Sequence, residues 1–138
     1  MTDSKNEKLV LEFINALCER DTEQIEALFH DEGTMWVAGT KALLPSCGSF
    51  SKREFLHNFD LGSNIIGKAE EVEIFGTTAQ KDRVAVEMRA KMKILTGEGG
   101  MYDQTFHNLF IVKDGKIFVW KEYFDTHLAA ETFKSLGS

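Results

Sequence analysis

The chain has 138 residues, 43% of them hydrophobic and 28% charged, which is typical of one globular domain with a substantial core. Its formal net charge is −6 and its Lys and Arg residues are scattered, which argues against binding to nucleic acid or to an anionic membrane surface. No apolar run approaches the roughly 20 residues of a membrane helix, and the N-terminus lacks a signal-peptide pattern. We therefore expect a cytoplasmic protein with a single domain over residues 1–138.

Helical patterns occupy the start of the chain. Ser4 with Glu7 forms a capping-box pattern, and apolar residues then recur at helical spacing as far as Leu17. A second helix is predicted to begin at Asp21. After this helix we expect a short strand from Thr34 to Val37.

The middle of the chain combines a loop with a third helix. The loop at residues 39–49 holds the only Pro, and it is either a rim or lid over a cavity or a plain surface connection. Ser51 with Glu54 is a second capping box, which opens a helix ending near Gly62. Cys18 and Cys47 have no motif around them and are predicted to be buried free thiols.

The remainder of the chain is predicted to be strands followed by one helix. An Asp-Gly pair at Asp114-Gly115 between alternating apolar runs is a strong hairpin signal. A last helix is expected from Thr126. The predicted strands are Ala69–Phe75, Val84–Leu95, Tyr102–Val112 and Lys116–Phe124. Helices followed by hairpins indicate an α+β domain with helices on one face of a curved sheet.

Alternation assigns side chains to the two sheet faces. Along residues 84–95, apolar side chains including Met88 share one face, whereas Arg89 points to the other. The outward apolar residues of the last hairpin form either a homodimer interface or a surface covered by the C-terminal helix. These outward residues are predicted to be Leu109, Ile111, Ile117 and Val119.

The inward rows of the last hairpin are aromatic with polar interruptions. The first strand places Gln104, Phe106 and Asn108 inward, and the second places Phe118, Trp120, Glu122 and Phe124 inward. A carboxylate among aromatic rings loses hydration, which raises its pKa toward the range of a general base. Glu122 is thus a candidate acid–base group or a structural carboxylate.

At this point the sequence resembles the nuclear transport factor two-like superfamily, in its SnoaL-like, ketosteroid-isomerase-related branch. The segments that carry the resemblance are 29–34, 36–39, 102–104, 106–107, 114–117 and 122–126. The resemblance implies a cone-shaped roll, with a strongly curved mixed or antiparallel sheet wrapped around the N-terminal helices. It also implies a small apolar ligand in the open end, and often a homodimer. Members include isomerases, polyketide cyclases and epoxide hydrolases, but also binding and scaffold proteins.

Only some of the functional residues of the family are present at the matching positions of this sequence. Val37 stands where ketosteroid isomerases have their aspartate base, and Lys91 replaces one hydrolase aspartate. Glu122 matches a hydrolase carboxylate. Asn108 matches the isomerase position that stabilises the enolate oxygen, where an amide is still a hydrogen-bond donor.

We therefore take Glu122 and Asn108 as candidate catalytic residues, although Asn108 and Gln104 could instead serve backbone groups. The candidate ligand-binding residues are Tyr102, Gln104, Phe106, Trp120, Phe124, Trp36 and Met88. Tyr102 could simply lie at the edge of the sheet, and Trp36 either lines the pocket or lies in the core. The spacing of the histidines predicts no metal site, and no motif predicts a cofactor. The alternatives are thus a cofactor-independent enzyme, a binding module and a scaffold.

Overall fold

The computed structural model describes the backbone of residues 2–134 and the side chains of residues 4–134. In chain order the elements are α1 (Thr2–Glu19), α2 (Thr22–Leu28), β1 (Phe29–Val37), β2 (Gly48–Ser51), α3 (Lys52–Gly62), β3 (Ile66–Gln80), β4 (Arg83–Ile94), β5 (Met101–Lys113), β6 (Lys116–Phe124) and α4 (Thr126–Lys134). Among these described residues, no helix has the length and apolar character needed to cross a bilayer.

One curved, open sheet organises the fold. Its strand order is β2-β1-β6-β5-β4-β3. β1 runs parallel to β6, whereas every other neighbouring pair is antiparallel. The face that packs against α1 and α3 is called the inner face below. This mixed sheet with helices on it confirms the predicted α+β class.

Local capping signals predicted the starts of α2 and α3 correctly. The Asp21 carboxylate accepts a hydrogen bond of 3.2 Å from the Gln24 backbone N–H at the start of α2. Ser51 and Glu54 form the reciprocal capping box of α3, at 3.2 and 2.9 Å. The prediction at Ser4 is wrong because α1 already begins at Thr2, so that Ser4 lies within the helix.

The first two strands differ from the prediction. β1 begins at Phe29, earlier than the predicted Thr34, and its pairing with β6 is irregular between these residues. A Cβ atom at Gly33 would lie 2.7 Å from the Phe29 ring, so only glycine fits the close approach there. β2 was not predicted, because its sequence Gly-Ser-Phe-Ser lacks an apolar alternation.

The last hairpin turns as predicted but contains a bulge. Asp114 and Gly115 have φ angles of 55° and 69°, as a two-residue hairpin turn requires. The pairing then shifts from Ile111–Val119 to Val112–Ile117, so Phe118 is an extra residue. Ile117 is consequently buried in the core, and Phe118 packs on the His30 ring at 5.1 Å between ring centroids. The predictions of an outward Ile117 and an inward Phe118 are therefore wrong.

The interior consists of two apolar clusters. The larger cluster lies between the sheet and α1, α2 and α3, and it contains the rings of Phe13, Phe29, Phe55, Phe110 and Trp120. The smaller cluster joins the loop at residues 39–47 to α4, through Leu44, Cys47, Tyr102 and Ala129. The loop therefore packs into the core and is more than a surface connection. α4 occupies one end of the inner face and leaves Leu109, Ile111 and Val119 uncovered by this helix.

Candidate functional site

A row of four side chains crosses the inner face of the sheet. Val37 of β1 pairs with Glu122 of β6, Glu122 pairs with Asn108 of β5, and Asn108 pairs with Val86 of β4. Directly paired residues project to the same face, so all four side chains point inward. The row places a carboxylate and an amide side by side, at the boundary between the two apolar clusters.

Glu122 is a carboxylate without a hydrogen-bond partner among the described residues. Its side chain is partly buried, and within the described chain it accepts no hydrogen bond and forms no ion pair within 4.0 Å. Burial raises the pKa of Glu122 from 4.5 to about 7, and the positive charge of Arg20 opposes this effect. A carboxyl group with a pKa near neutrality can both take up and release a proton under ordinary conditions.

Arg20 brings a positive charge to the same region. It lies in the turn between α1 and α2 with a φ of 56°, and its guanidinium stacks 4.2 Å from the centroid of the Phe59 ring. Nη1 donates two long hydrogen bonds of 3.4 Å, to the Phe59 carbonyl and to Ser63 Oγ. Burial lowers the pKa of Arg20, while the negative charge of Glu122 raises it. No feature of the sequence near Arg20 predicted this position, because the approach depends on how α1 and α3 pack.

Tyr102 and Gln104 form a buried hydrogen-bond network on the same face of the sheet as Glu122. The Tyr102 hydroxyl accepts a hydrogen bond of 2.7 Å from Gln104 Nε2, which also donates to the Asp125 carbonyl at 3.0 Å. Gln104 Oε1 accepts from the backbone N–H groups of Thr105 and Asp125. Gln104 therefore ties β5 to the start of α4 and has little capacity left for a ligand. Burial raises the pKa of Tyr102 to about 12, so the hydroxyl keeps its proton.

Both polar atoms of the Asn108 side chain contact other core residues. Its Oδ1 accepts a hydrogen bond of 3.0 Å from Trp120 Nε1, and its Nδ2 lies 3.6 Å from Met88 Sδ. Only 3% of the residue is exposed, and Met88 and Trp120 are also buried. The structure thus places these three predicted residues in one buried cluster on the inner face, where Asn108 is paired with Glu122.

The remaining predicted residues divide between the two faces. Phe106 and Phe124 are half-buried on the inner face, with ring centroids 6.2 Å apart. Trp36 pairs with Lys121 on the outer face and packs against Tyr123, so the structure does not bring Trp36 to Glu122.

Arg89 also faces outward, as predicted, where it binds Asp103 through two hydrogen bonds of 2.7 and 2.6 Å. This pair is a surface ion pair, and Arg89 is not available to the inner face.

Open depressions lie on the surface of the described chain. One of about 690 Å³ runs along α1, and one of about 280 Å³ lies beside His107 and Tyr123. Neither of them is lined by Glu122 or Arg20. The Glu122 carboxylate on the inner face of the sheet, and not the size of a depression, identifies the candidate site.

Comparisons with known proteins agree with the fold. The sequence profile of the SnoaL-like domain matches residues 10–120, so the match ends just before Glu122. A search of curated protein sequences found no significant match.

Three solved structures illustrate the similarity of the fold. An NTF2-like protein from Burkholderia xenovorans is 18% identical with a TM-score of 0.73, covering 95% of this chain and 97% of that one. An LEH-like epoxide hydrolase from M. tuberculosis is 20% identical with a TM-score of 0.74, covering 99% and 98%. A protein with a ketosteroid isomerase-like fold from Catenulispora acidiphila is 15% identical with a TM-score of 0.67, covering 83% of each chain. At these identities the likeness shows the fold alone.

Proposed function

The chain belongs to the SnoaL-like domain family, and on this premise we propose that it is a cofactor-independent enzyme that moves a proton on a small apolar molecule. Glu122 is the acid–base group in this proposal. The observation that carries the proposal is a partly buried carboxylate on the inner face of the sheet, which has no hydrogen-bond partner among the described residues and a pKa of about 7.

The surroundings of Glu122 favour an apolar substrate. Val37 lies beside it on β1, the Phe106 and Phe124 rings lie next along the sheet, and the Trp120 ring lies below. Such side chains exclude water, which keeps the carboxylate poorly hydrated and basic. Val37 and Lys91 stand where relatives have second carboxylates, so a mechanism with a single carboxylate is required here.

A single carboxylate is sufficient for a proton shift. Glu122 in its ionised form would remove a proton from a carbon next to a carbonyl group, and the electrons of the broken C–H bond would move onto the carbonyl oxygen. The protonated Glu122 would then return the proton to the same carbon or to a neighbouring one. Isomerisation and cyclisation both begin with this step, and an epoxide opening could use the same carboxylate to activate water.

Exchange of substrate protons with deuterated solvent tests this proposal. Small ketones and an epoxide would be incubated with the protein in D₂O and followed by NMR, with the variant Glu122→Gln beside the wild type. We expect the variant to lose at least about 100-fold in rate while remaining folded. Glu87→Gln is the matched control, because Glu87 is exposed on the outer face. Equal rates in the wild type and Glu122→Gln would refute the role of Glu122.

A ligand-binding protein without turnover is the second candidate, favoured by the apolar Val37 at the position of the isomerase base. It predicts that the wild type binds small molecules but catalyses no exchange with any member of the substrate panel. Glu122→Gln would then change affinity alone.

We also propose that two copies associate through the outer face of the sheet. Leu109, Ile111 and Val119 give this face an apolar strip, and 40% of Tyr123 is exposed beside it. Tyr123→Asp would place a charge there and should shift the sedimentation coefficient from dimer to monomer. A monomeric wild type would contradict this proposal.

A further inference from the structure

The strand β3 forms a long, open edge of the sheet. It is the last strand in the strand order, and it pairs with β4 alone. Within the described chain, no hydrogen bond joins residues 69–80 to a group outside this strand pair. All residues from Glu70 to Gly76 are exposed. An edge strand in this state presents about half of its backbone N–H and C=O groups outward, where another strand can pair with them.

On the outer face, rows of charged side chains run across the sheet and end at β3. Asp103 of β5 pairs with Lys91 of β4, and Lys91 pairs with Glu71 of β3. In the neighbouring row, Arg89 of β4 pairs with Glu73 of β3. Opposite charges at directly paired positions stabilise a sheet, whereas like charges destabilise it. Both rows end on a glutamate, so a basic residue fits the next position in each row.

The inner face of the same segment is apolar. Val72 pairs with Ala90, which is buried, and Ile74 pairs with Met88, which is also buried. Val72 and Ile74 themselves are 45% and 39% exposed, so the apolar rows of the inner face continue to the edge without being covered there. A strand added at this edge would bury both side chains if its own inward residues were apolar.

A second copy of β3 does not fit this edge. Symmetric antiparallel pairing of two copies of β3 keeps the outer faces together and would place glutamates opposite glutamates there. The net charge of −6 on each chain adds to this repulsion. The charge pattern therefore favours a partner with basic residues over another copy of this protein.

We propose that β3 is a docking edge for an extended segment of another protein, in which Lys or Arg alternates with apolar residues. The basic side chains lie on the outer face next to Glu71 and Glu73, and the apolar side chains lie on the inner face next to Val72 and Ile74. Backbone hydrogen bonds to β3 hold the segment, and the alternation fixes its register. This docking edge depends neither on the role of Glu122 nor on association of two copies through the outer face.

Fluorescence anisotropy with a short, capped and labelled peptide of alternating Lys and Val tests the inference. We expect it to bind with a Kd below about 1 mM. A peptide of the same composition, with all Lys before all Val, should bind at least about tenfold more weakly, and so should a peptide with Glu in place of Lys. Equal affinity for the alternating and the block peptide would overturn the inference. Absence of binding of the alternating peptide up to about 1 mM would also overturn it.

Variants of the two edge glutamates test the charge pattern. The double variant Glu71→Gln with Glu73→Gln should weaken binding of the alternating peptide about 3- to 30-fold. Glu23→Gln with Glu26→Gln, at exposed positions of α2, is the matched control because it changes the net charge by the same amount. Equal affinities in the two double variants would show a general attraction between opposite charges and would overturn the inference.

Amide hydrogen exchange followed by NMR tests where the peptide binds. The backbone amides of residues 71–74 that point away from β4 should exchange at least about tenfold more slowly with saturating peptide, because they would donate hydrogen bonds to it. Exchange at these amides that does not change when the peptide binds would contradict strand pairing and overturn the inference.

Discussion

Replacing Glu122 by Gln should make the protein more stable, and increasingly so as the pH rises. The pKa of the folded carboxyl is about 7, against 4.5 for an unburied glutamate, with burial as the main cause. The folded carboxyl binds its proton more tightly than the unfolded one. The stabilisation from this bound proton is complete below about pH 4.5 and is lost as the pH rises through about 7. Each pH unit between these values corresponds to about 1.4 kcal/mol, which gives an upper bound of about 3.4 kcal/mol.

The partial exposure of Glu122 reduces this bound to about 2–3 kcal/mol, because solvent screens the charge. Urea unfolding, followed by tryptophan fluorescence, measures the free energy of unfolding of both proteins between about pH 4.5 and about pH 8.5. We expect equal stabilities at the acid end and Glu122→Gln more stable by about 2–3 kcal/mol at the alkaline end. Glu87→Gln, at an exposed position of the outer face, is the control variant. A difference between Glu122→Gln and wild type that does not change with pH would refute the reasoning.

Other consequences of the structure can be measured with single variants. Gly33→Ala would place its Cβ 2.7 Å from the Phe29 ring and should cost about 1–3 kcal/mol in urea unfolding. Gly76→Ala, with no atom within 4 Å of the added Cβ, should cost nothing, and equal losses in both would contradict the packing described. Asn108→Leu leaves Trp120 Nε1 without its acceptor and should cost about 1–3 kcal/mol, so an unchanged midpoint would show that the bond is absent. If Glu122 is the base, the rate of proton exchange should rise with pH and level off above about 7, and a rate that falls over this range would contradict that role.

Features set by neighbouring residues could be predicted from the sequence. The capping box at Ser51, the cap at Asp21 and the turn at Asp114-Gly115 all depend on contacts within a few residues. The four long strands were also predicted, because their apolar alternation extends over many residues. β6 matches its predicted bounds.

Features that depend on distant contacts were missed. The bulge at Phe118 exchanges the faces of Ile117 and Phe118, and a regular alternation contains no sign of it. Trp36 faces outward because the parallel pairing of β1 with β6 sets its side, which no local pattern specifies.

In the candidate site, too, some features could be predicted from neighbouring residues and others depend on distant contacts. Glu122 could be identified because it interrupts an aromatic row on a predicted strand. The position of Arg20 could not be predicted, because its guanidinium stacks on Phe59 of α3, which is far away in sequence. Asn108 could be predicted to point inward. Its hydrogen bond with Trp120 could not be predicted, because it depends on the register between β5 and β6.

The titration of the Glu122 carboxyl tests the central claim most directly. In protein with ¹³C-labelled glutamate side chains, the carboxyl resonance of Glu122 is the one that is absent from Glu122→Gln. Its chemical shift, followed over pH, should give a midpoint near 7, because partial burial in the folded protein disfavours the charged form of this group. A midpoint near 4.5, the value of an ordinary hydrated glutamate, would contradict the account.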